Sequence, residues 1–201
     1  MENYQIVLDR TIKDIEKSGK VTKLLLHSCC APCSSYVLEY LSRYFDITVL
    51  YYNPNIYPPE EFGKRAAEQV RLADEMNPEH PVKVVVADYD ADEFYSAVRG
   101  REGDPEGGAR CRICFELRLG KAADYASKHG FDYFTTTLSI SPLKNAAVLS
   151  EVGAHMAEKY GVAYLFSDFK KRGGYKRSCE LSAQYGLYRQ DYCGCVFSVR
   201  K

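Results

Sequence analysis

The chain has 201 residues, 46% of them hydrophobic and 27% charged, which suits one domain with a substantial core and excludes a disordered chain. Its 27 basic and 27 acidic residues cancel, so a polyanion partner, if there is one, must be met by a local patch rather than by overall charge. No apolar run approaches the roughly 18 residues of a membrane-spanning helix, and the N-terminal MENYQIVLDRTIKDIEK lacks the features of a signal or transit peptide. The expectation is a cytoplasmic protein with no membrane partner, whose eight cysteines stay reduced and act as metal ligands or redox groups rather than disulfides.

In chain order, residues 21–27 (VTKLLLH) read as a buried strand, followed by a turn and a helix over about 33–44. Residues 47–52 (ITVLYY) form a second strand, which leads through the Pro-rich turn 53–59 into a helix ending near the Asn77-Pro78 break. A third strand is expected at 82–87 and a short helix at 93–98, before the flexible connector GREGDPEGG over 100–108. Residues 111–128 show helical periodicity, 132–136 a fourth strand, a helix follows Pro142, and 162–166 is a fifth strand. Strands alternating with helices predict an α/β fold with a parallel, doubly wound, Rossmann-like sheet in a single domain over 1–201. In such folds ligands sit outside the carboxyl ends of the strands. That places segments 28–34, 53–57 and 137–144 on the working edge.

The cysteines fall into clusters. Cys29, Cys30 and Cys33 lie in HSCCAPCS, where a strand turns into a helix whose positive end lowers thiol pKa. Pro32 suits that first helical turn. Adjacent Cys29 and Cys30, if still extended, are expected to point apart and to serve different centres. Cys111 and Cys114 (CRIC) share one helical face, and Cys193 and Cys195 (CGC) flank a glycine that lets the backbone fold closely around a metal. A zinc ion or a cubane cluster takes about four sulfurs, so seven ligand-grade cysteines imply two centres. Cys179, alone in KRSCELS, reads as an ordinary helix residue. A structural zinc knot with spare thiols, and a dithiol oxidoreductase built on CAPC or CRIC, remain open on spacing alone. Neither G-x-G-x-x-G nor G-x-x-x-x-G-K-[ST] occurs, so nothing points to a bound nucleotide.

The motifs LLLHSCCAPCS, YYNPNIYPPEEF, CRICFELRL, FTTTLSISPLKN, SDFKK and YRQDYCGCVFS, in this order from about residue 23 to 198, together resemble the QueH-type epoxyqueuosine reductases. The resemblance implies a HUP-like fold with a cysteine-containing C-terminal extension. It implies cobalamin-independent reduction of epoxyqueuosine to queuosine at the tRNA wobble position, the last step of queuosine biosynthesis. The implied cofactors are a 4Fe–4S cluster and an adjacent mononuclear iron. Cys29, Cys30, Cys111, Cys114, Cys193 and Cys195 would bind them, with Cys33 as a further metal ligand at a position that varies between Cys and Asp in the family. The implied partners are tRNA carrying epoxyqueuosine and an unidentified low-potential electron donor.

Opening an epoxide to an alkene needs protons, for which His27, Asp191 and Tyr192 stand beside cluster ligands. The RNA is assigned to Lys170, Lys171, Arg172, Lys176 and Arg177 in KKRGGYKR, where Gly173-Gly174 would admit a phosphate, and to Arg189. Arg110, Arg112 and Arg118 are further cations around CRIC, Tyr188 precedes the CGC, and Tyr57 and Tyr175 are candidate stacking platforms. The alternative function is a zinc-stabilised RNA-binding module without catalysis.

Overall fold

The computed structural model describes residues 3–199 apart from 77 and 79; Asn77 of the expected break thus lies outside the described residues. Five parallel strands, β1 (Thr22–His27), β2 (Phe45–Tyr51), β3 (Lys83–Val86), β4 (Tyr133–Thr136) and β5 (Ala163–Tyr164), form one sheet in the order β3-β2-β1-β4-β5. Seven helices connect and cover them: α1 (Tyr4–Ser18), α2 (Ala31–Leu41), α3 (Pro59–Met76), α4 (Ala91–Ala97), α5 (Ala109–Lys128), α6 (Ala146–Tyr160) and α7 (Gly174–Gln184). The expected α/β class and parallel sheet are therefore observed. No helix among the described residues is long and apolar enough to cross a membrane.

The central strands carry apolar runs such as Leu24–Leu26 because both faces are covered. Successive side chains leave opposite faces. Leu24, Leu26, Ile47 and Val49 thus meet Leu8 and Ile12 of α1, Leu38 of α2 and Leu72 of α3 on one side. Leu25, Leu50 and Phe134 meet Leu119 and Ala123 of α5 and Leu149 of α6 on the other.

Several boundaries differ from the expectation. α2 starts at Ala31, not 33, because Cys30 is extended (φ −174°, ψ 159°) and caps a first turn that Pro32 fits. β5 is two residues long; beyond Tyr164 the ladder continues with one bond, Leu165 N–H to the Phe134 carbonyl at 2.9 Å. α1 was not expected. Asn3 caps it, its side chain accepting from Gln5 N–H at 3.2 Å, and Leu8 and Ile12 bury one stripe in an otherwise polar helix. α7 carries Cys179 but starts at Gly174, inside the basic segment read as a phosphate loop. An added Cβ on Gly174 would strike the Phe169 carbonyl and the Tyr36 ring, so packing accounts for that glycine.

The order reverses between β1 and β4, and the crevice outside their carboxyl ends is the ligand position of doubly wound sheets. The chain after α7 runs back to this edge. Tyr57 N–H donates to the Gly194 carbonyl at 2.8 Å and Tyr188 N–H to Glu68 Oε1 at 2.8 Å, which pins the C-terminal extension to the 53–57 turn and to α3.

Candidate metal centres and adjoining pocket

Cys29, Cys30 and Cys33 sit where β1 ends and α2 begins, directly at the switch point. Cys29 N–H donates to Thr137 Oγ1, just past β4, at 3.3 Å. The two adjacent sulfurs lie 3.8 Å apart, and all three lie within 4.8 Å of one another. The expectation that Cys29 and Cys30 point apart is corrected. Alternation holds within a strand, but the turn into α2 swings both sulfurs to the helix N-terminus. Hydrogen bonds from Cys30 and Cys33 hold the Cys29 thiol well below its ordinary value, while Cys30 is pushed up to about 12, first by its bond to Cys29, and Cys33 well above. Metal ligation would take the place of the thiol protons.

Cys111 and Cys114 lie on the first turns of α5, and Cys193 and Cys195 on the C-terminal extension; all four line one small cavity with Phe94, Asn55 and Arg118. Gly107 N–H donates to Cys111 Sγ at 3.2 Å, and the Cys195 thiol reaches Ser198 Oγ at 3.6 Å. Gly194 takes φ +119°, which lets both flanking cysteines face the cavity. Among the described residues only the Cys29 trio gathers its ligand atoms within 4.8 Å. In a cubane each thiolate binds a different iron and the sulfurs stand apart, whereas one ion draws its ligands together.

Buried cations surround these sulfurs: Arg65, Arg110, Arg118 and Lys144 are 2, 3, 2 and 8% exposed. Lys144 donates from Nζ to Cys193 Sγ at 3.0 Å and to Glu106 at 3.5 Å. Burial alone would weaken its charge, but Cys193, Glu106 and Cys111 together outweigh burial and raise the ammonium's pKa. Buried positive charge is costly unless anions face it. Soft thiolate donors amid buried cations fit an anionic metal–sulfur centre.

A larger cavity adjoins both groups, lined by Cys29 and Cys33 from one and Cys193 from the other, with Lys144, Arg189, Asp191 and Tyr192 around them. Asp191 is exposed there. Tyr192 donates to the Tyr57 carbonyl at 2.5 Å, and burial raises its pKa. His27 does not line this cavity. It is fully buried, with Thr136 Oγ1 at 2.8 Å from Nδ1 and the Tyr52 carbonyl and Arg118 Nε at 3.1 and 3.3 Å from Nε2. Burial, then the Arg118 charge, pull its pKa down to about 3, which leaves it a neutral packing group.

Most of the expected RNA cations already have partners. Lys170 pairs with Asp168 (2.6 Å), Arg172 with Asp9 (2.5 Å), and Arg177 with Glu39 (2.6 Å) and Glu180 (3.2 Å). Lys171 and Lys176 are exposed and have no carboxylate partner among the described residues. Arg189 bonds Ser182 Oγ at 3.0 Å and borders the pocket beside Tyr175, which is 41% exposed. Arg112 pairs with Glu116 and Glu151, and Arg118 and Arg110 are buried. Tyr57 is exposed, and Tyr188 bonds Glu61. Cys179, on α7, belongs to neither cysteine group nor the pocket. Sequence reasoning gave no role to Asn53 or Lys144, although both lie in segments that it placed on the working edge.

Residues 24–201 match the family model described as epoxyqueuosine reductase QueH. The chain is 45% identical over 200 residues to the epoxyqueuosine reductase QueH of Streptococcus pyogenes serotype M1, covering 98% of this chain and 78% of that protein. It is 44% identical over 203 residues to the one of Staphylococcus epidermidis (99% and 85%), and 37% identical over 179 residues to the one of Thermotoga maritima (88% and 90%).

Proposed function

Because the chain belongs to the epoxyqueuosine reductase QueH family, we propose that it reduces the epoxide of epoxyqueuosine at the wobble position of tRNA to give queuosine, the last step of queuosine biosynthesis. In this reading Cys111, Cys114, Cys193 and Cys195 hold a 4Fe–4S cluster, and Cys29, Cys30 and Cys33 hold a mononuclear iron. The observation that carries it is the shared pocket wall: sulfurs of both groups border one cavity, at the crevice where such sheets bind ligands.

The reaction adds two electrons and two protons to an epoxide, breaks both C–O bonds and releases alkene and water. When bound, the cluster supplies electrons singly and the single iron a Lewis acid for the oxygen. The protein's own part is to bind, orient and protonate. Asp191 and Tyr192 border the cavity as proton sources, and the Lys144 ammonium faces it as a fixed donor. His27, sealed beneath, accepts from Arg118 Nε at Nε2 instead of delivering a proton. The unpaired wobble base suits a cavity rimmed by Tyr175 and Arg189, with Lys171 and Lys176 offered to the phosphates. Electrons come from a low-potential donor protein in the cytoplasm, without cobalamin.

The test is anaerobic purification followed by incubation with epoxyqueuosine-containing tRNA and a chemical reductant. About five irons per chain and conversion of the epoxide nucleoside to queuosine, read by mass spectrometry, are expected. Colourless protein with stoichiometric zinc and no conversion overturns the reading in favour of an RNA-binding module.

A further inference from the structure

Arg118 occupies an unusual place. It is 2% exposed, one turn beyond Cys114 and two beyond Cys111 on the same face of α5. Its guanidinium has no carboxylate partner among the described residues. Nη2 donates to the Asn53 side-chain carbonyl at 2.5 Å, Nε to His27 Nε2 at 3.3 Å, and Nη1 lies 4.0 Å from Cys114 Sγ. The buried Arg65 has Glu61 at 2.7 Å, so carboxylate compensation is available in this fold and is withheld from Arg118. What it does adjoin is cysteines of both groups: it lines the cavity of Cys111, Cys114, Cys193 and Cys195, and its partner Asn53 donates from Nδ2 to the carbonyl of Ser28, the neighbour of Cys29, at 2.9 Å.

A guanidinium does not shed its proton in a protein, so this charge is permanent. Left unpaired, a buried charge costs several kcal/mol. Two neutral acceptors, the Asn53 amide oxygen and the His27 ring, solvate it without cancelling it. The balance closes when the thiols on either side are ionised and carry metal.

We infer that Arg118 is a positioning residue, the shared counter-cation of the three-cysteine and four-cysteine centres, which stabilises their loaded, electron-rich states and couples one to the other. The inference rests on the iron–sulfur reading above. Positive charge beside an anionic cluster favours the reduced form, so its removal drives the reduction potential to more negative values. It also weakens iron retention, and since both groups feel the same cation, both centres respond.

The test compares wild type with Arg118→Met, which keeps the volume of the stem but not the charge, and with Arg118→Lys, which keeps the charge. A second route leaves the arginine in place: Asn53→Asp sets a carboxylate against Nη2 and cancels the charge where it stands. Each anaerobically loaded protein is titrated with redox mediators under electron paramagnetic resonance, and iron release to a chelator is followed. Arg118→Met and Asn53→Asp are expected to shift the potential to more negative values and to lower iron affinity by roughly 10–100-fold, the range for outer-sphere partners of a metal site. Arg118→Lys is expected to restore most of both. Wild-type protein that holds no iron overturns the iron–sulfur reading and this inference with it. Iron-loaded wild type, with unshifted potential and iron retention in Arg118→Met or in Asn53→Asp, overturns this inference alone. If Arg118→Met fails to fold, Asn53→Asp decides by the same two measurements.

Discussion

Alanine at position 194 probes how the C-terminal extension presents its two cysteines. The backbone there has φ +119°, and a Cβ would stand 3.1 Å from Ile56 Cγ1 and 3.2 Å from Arg65 Nη1. Both neighbours are 2% exposed and have little room to yield. A side chain held in such a conformation costs about 1–3 kcal/mol. A domain of this size loses roughly 2–4 °C of melting temperature per kcal/mol, so Gly194→Ala is expected to melt about 2–12 °C below wild type. The measurement is thermal unfolding of the metal-free protein by circular dichroism. Iron per chain after anaerobic reconstitution is expected to fall in parallel, because the strain is relieved by shifting Cys193 or Cys195. Gly103→Ala is the control: no positive φ and no atom within 4 Å constrain that site, so its stability changes by no more than about 0.5 kcal/mol. A Gly194→Ala protein melting within about 1 °C of wild type, with full iron, refutes the reasoning.

Three further outcomes are expected. Cys111→Ala loses iron and reductase activity together while Cys179→Ala keeps both, as counted by iron analysis and nucleoside conversion; an iron-replete, active Cys111→Ala contradicts the ligand assignment. His27 has a folded pKa of about 3 against an ordinary 6.5, so the unfolded chain binds the extra proton. Its contribution is complete above about pH 6.5 and declines by up to about 1.4 kcal/mol per pH unit as pH falls toward 3. Urea unfolding at pH 7 and 5.5 shows this loss in wild type and a flatter profile in His27→Asn; equal slopes would count against a buried neutral imidazole. Lys171→Glu and Lys176→Glu weaken tRNA binding across sequences and reduce the salt slope by about one each, measured by filter binding at several salt concentrations. Unchanged affinity at low salt would move the RNA to another face.

The strands were legible because burial on both faces leaves continuous apolar runs such as LLL at 24–26, and the working edge followed from their alternation with helices. The cysteine clusters were legible because spacing within CRIC and CGC is local information. Their partition was not. It depends on a turn at residues 28–30 that redirects two sulfurs, and on a C-terminal segment docking beside α5 through bonds to Tyr57 and Glu68. α1 escaped because it buries only a narrow stripe. In α7 the Gly173-Gly174 pair reads as a loop until the Phe169 carbonyl explains it. Arg118 was read only as one of the cations around CRIC because nothing within CRICFELRL tells whether that face of the helix turns inward. The same limit hid Lys144, whose partner Cys193 is remote in sequence.

The two cysteine groups also differ in how much chain each must gather. Cys29, Cys30 and Cys33 lie within one strand-turn-helix unit, so their geometry is complete as soon as β1 and α2 pack. The other four join α5 to an extension reached only after β4, α6 and α7 have been laid down, a long loop whose closure carries an entropic cost. The trio is therefore local to one unit, whereas the four-cysteine cavity exists only where the extension has docked, and a metal held there would tie that extension to α5.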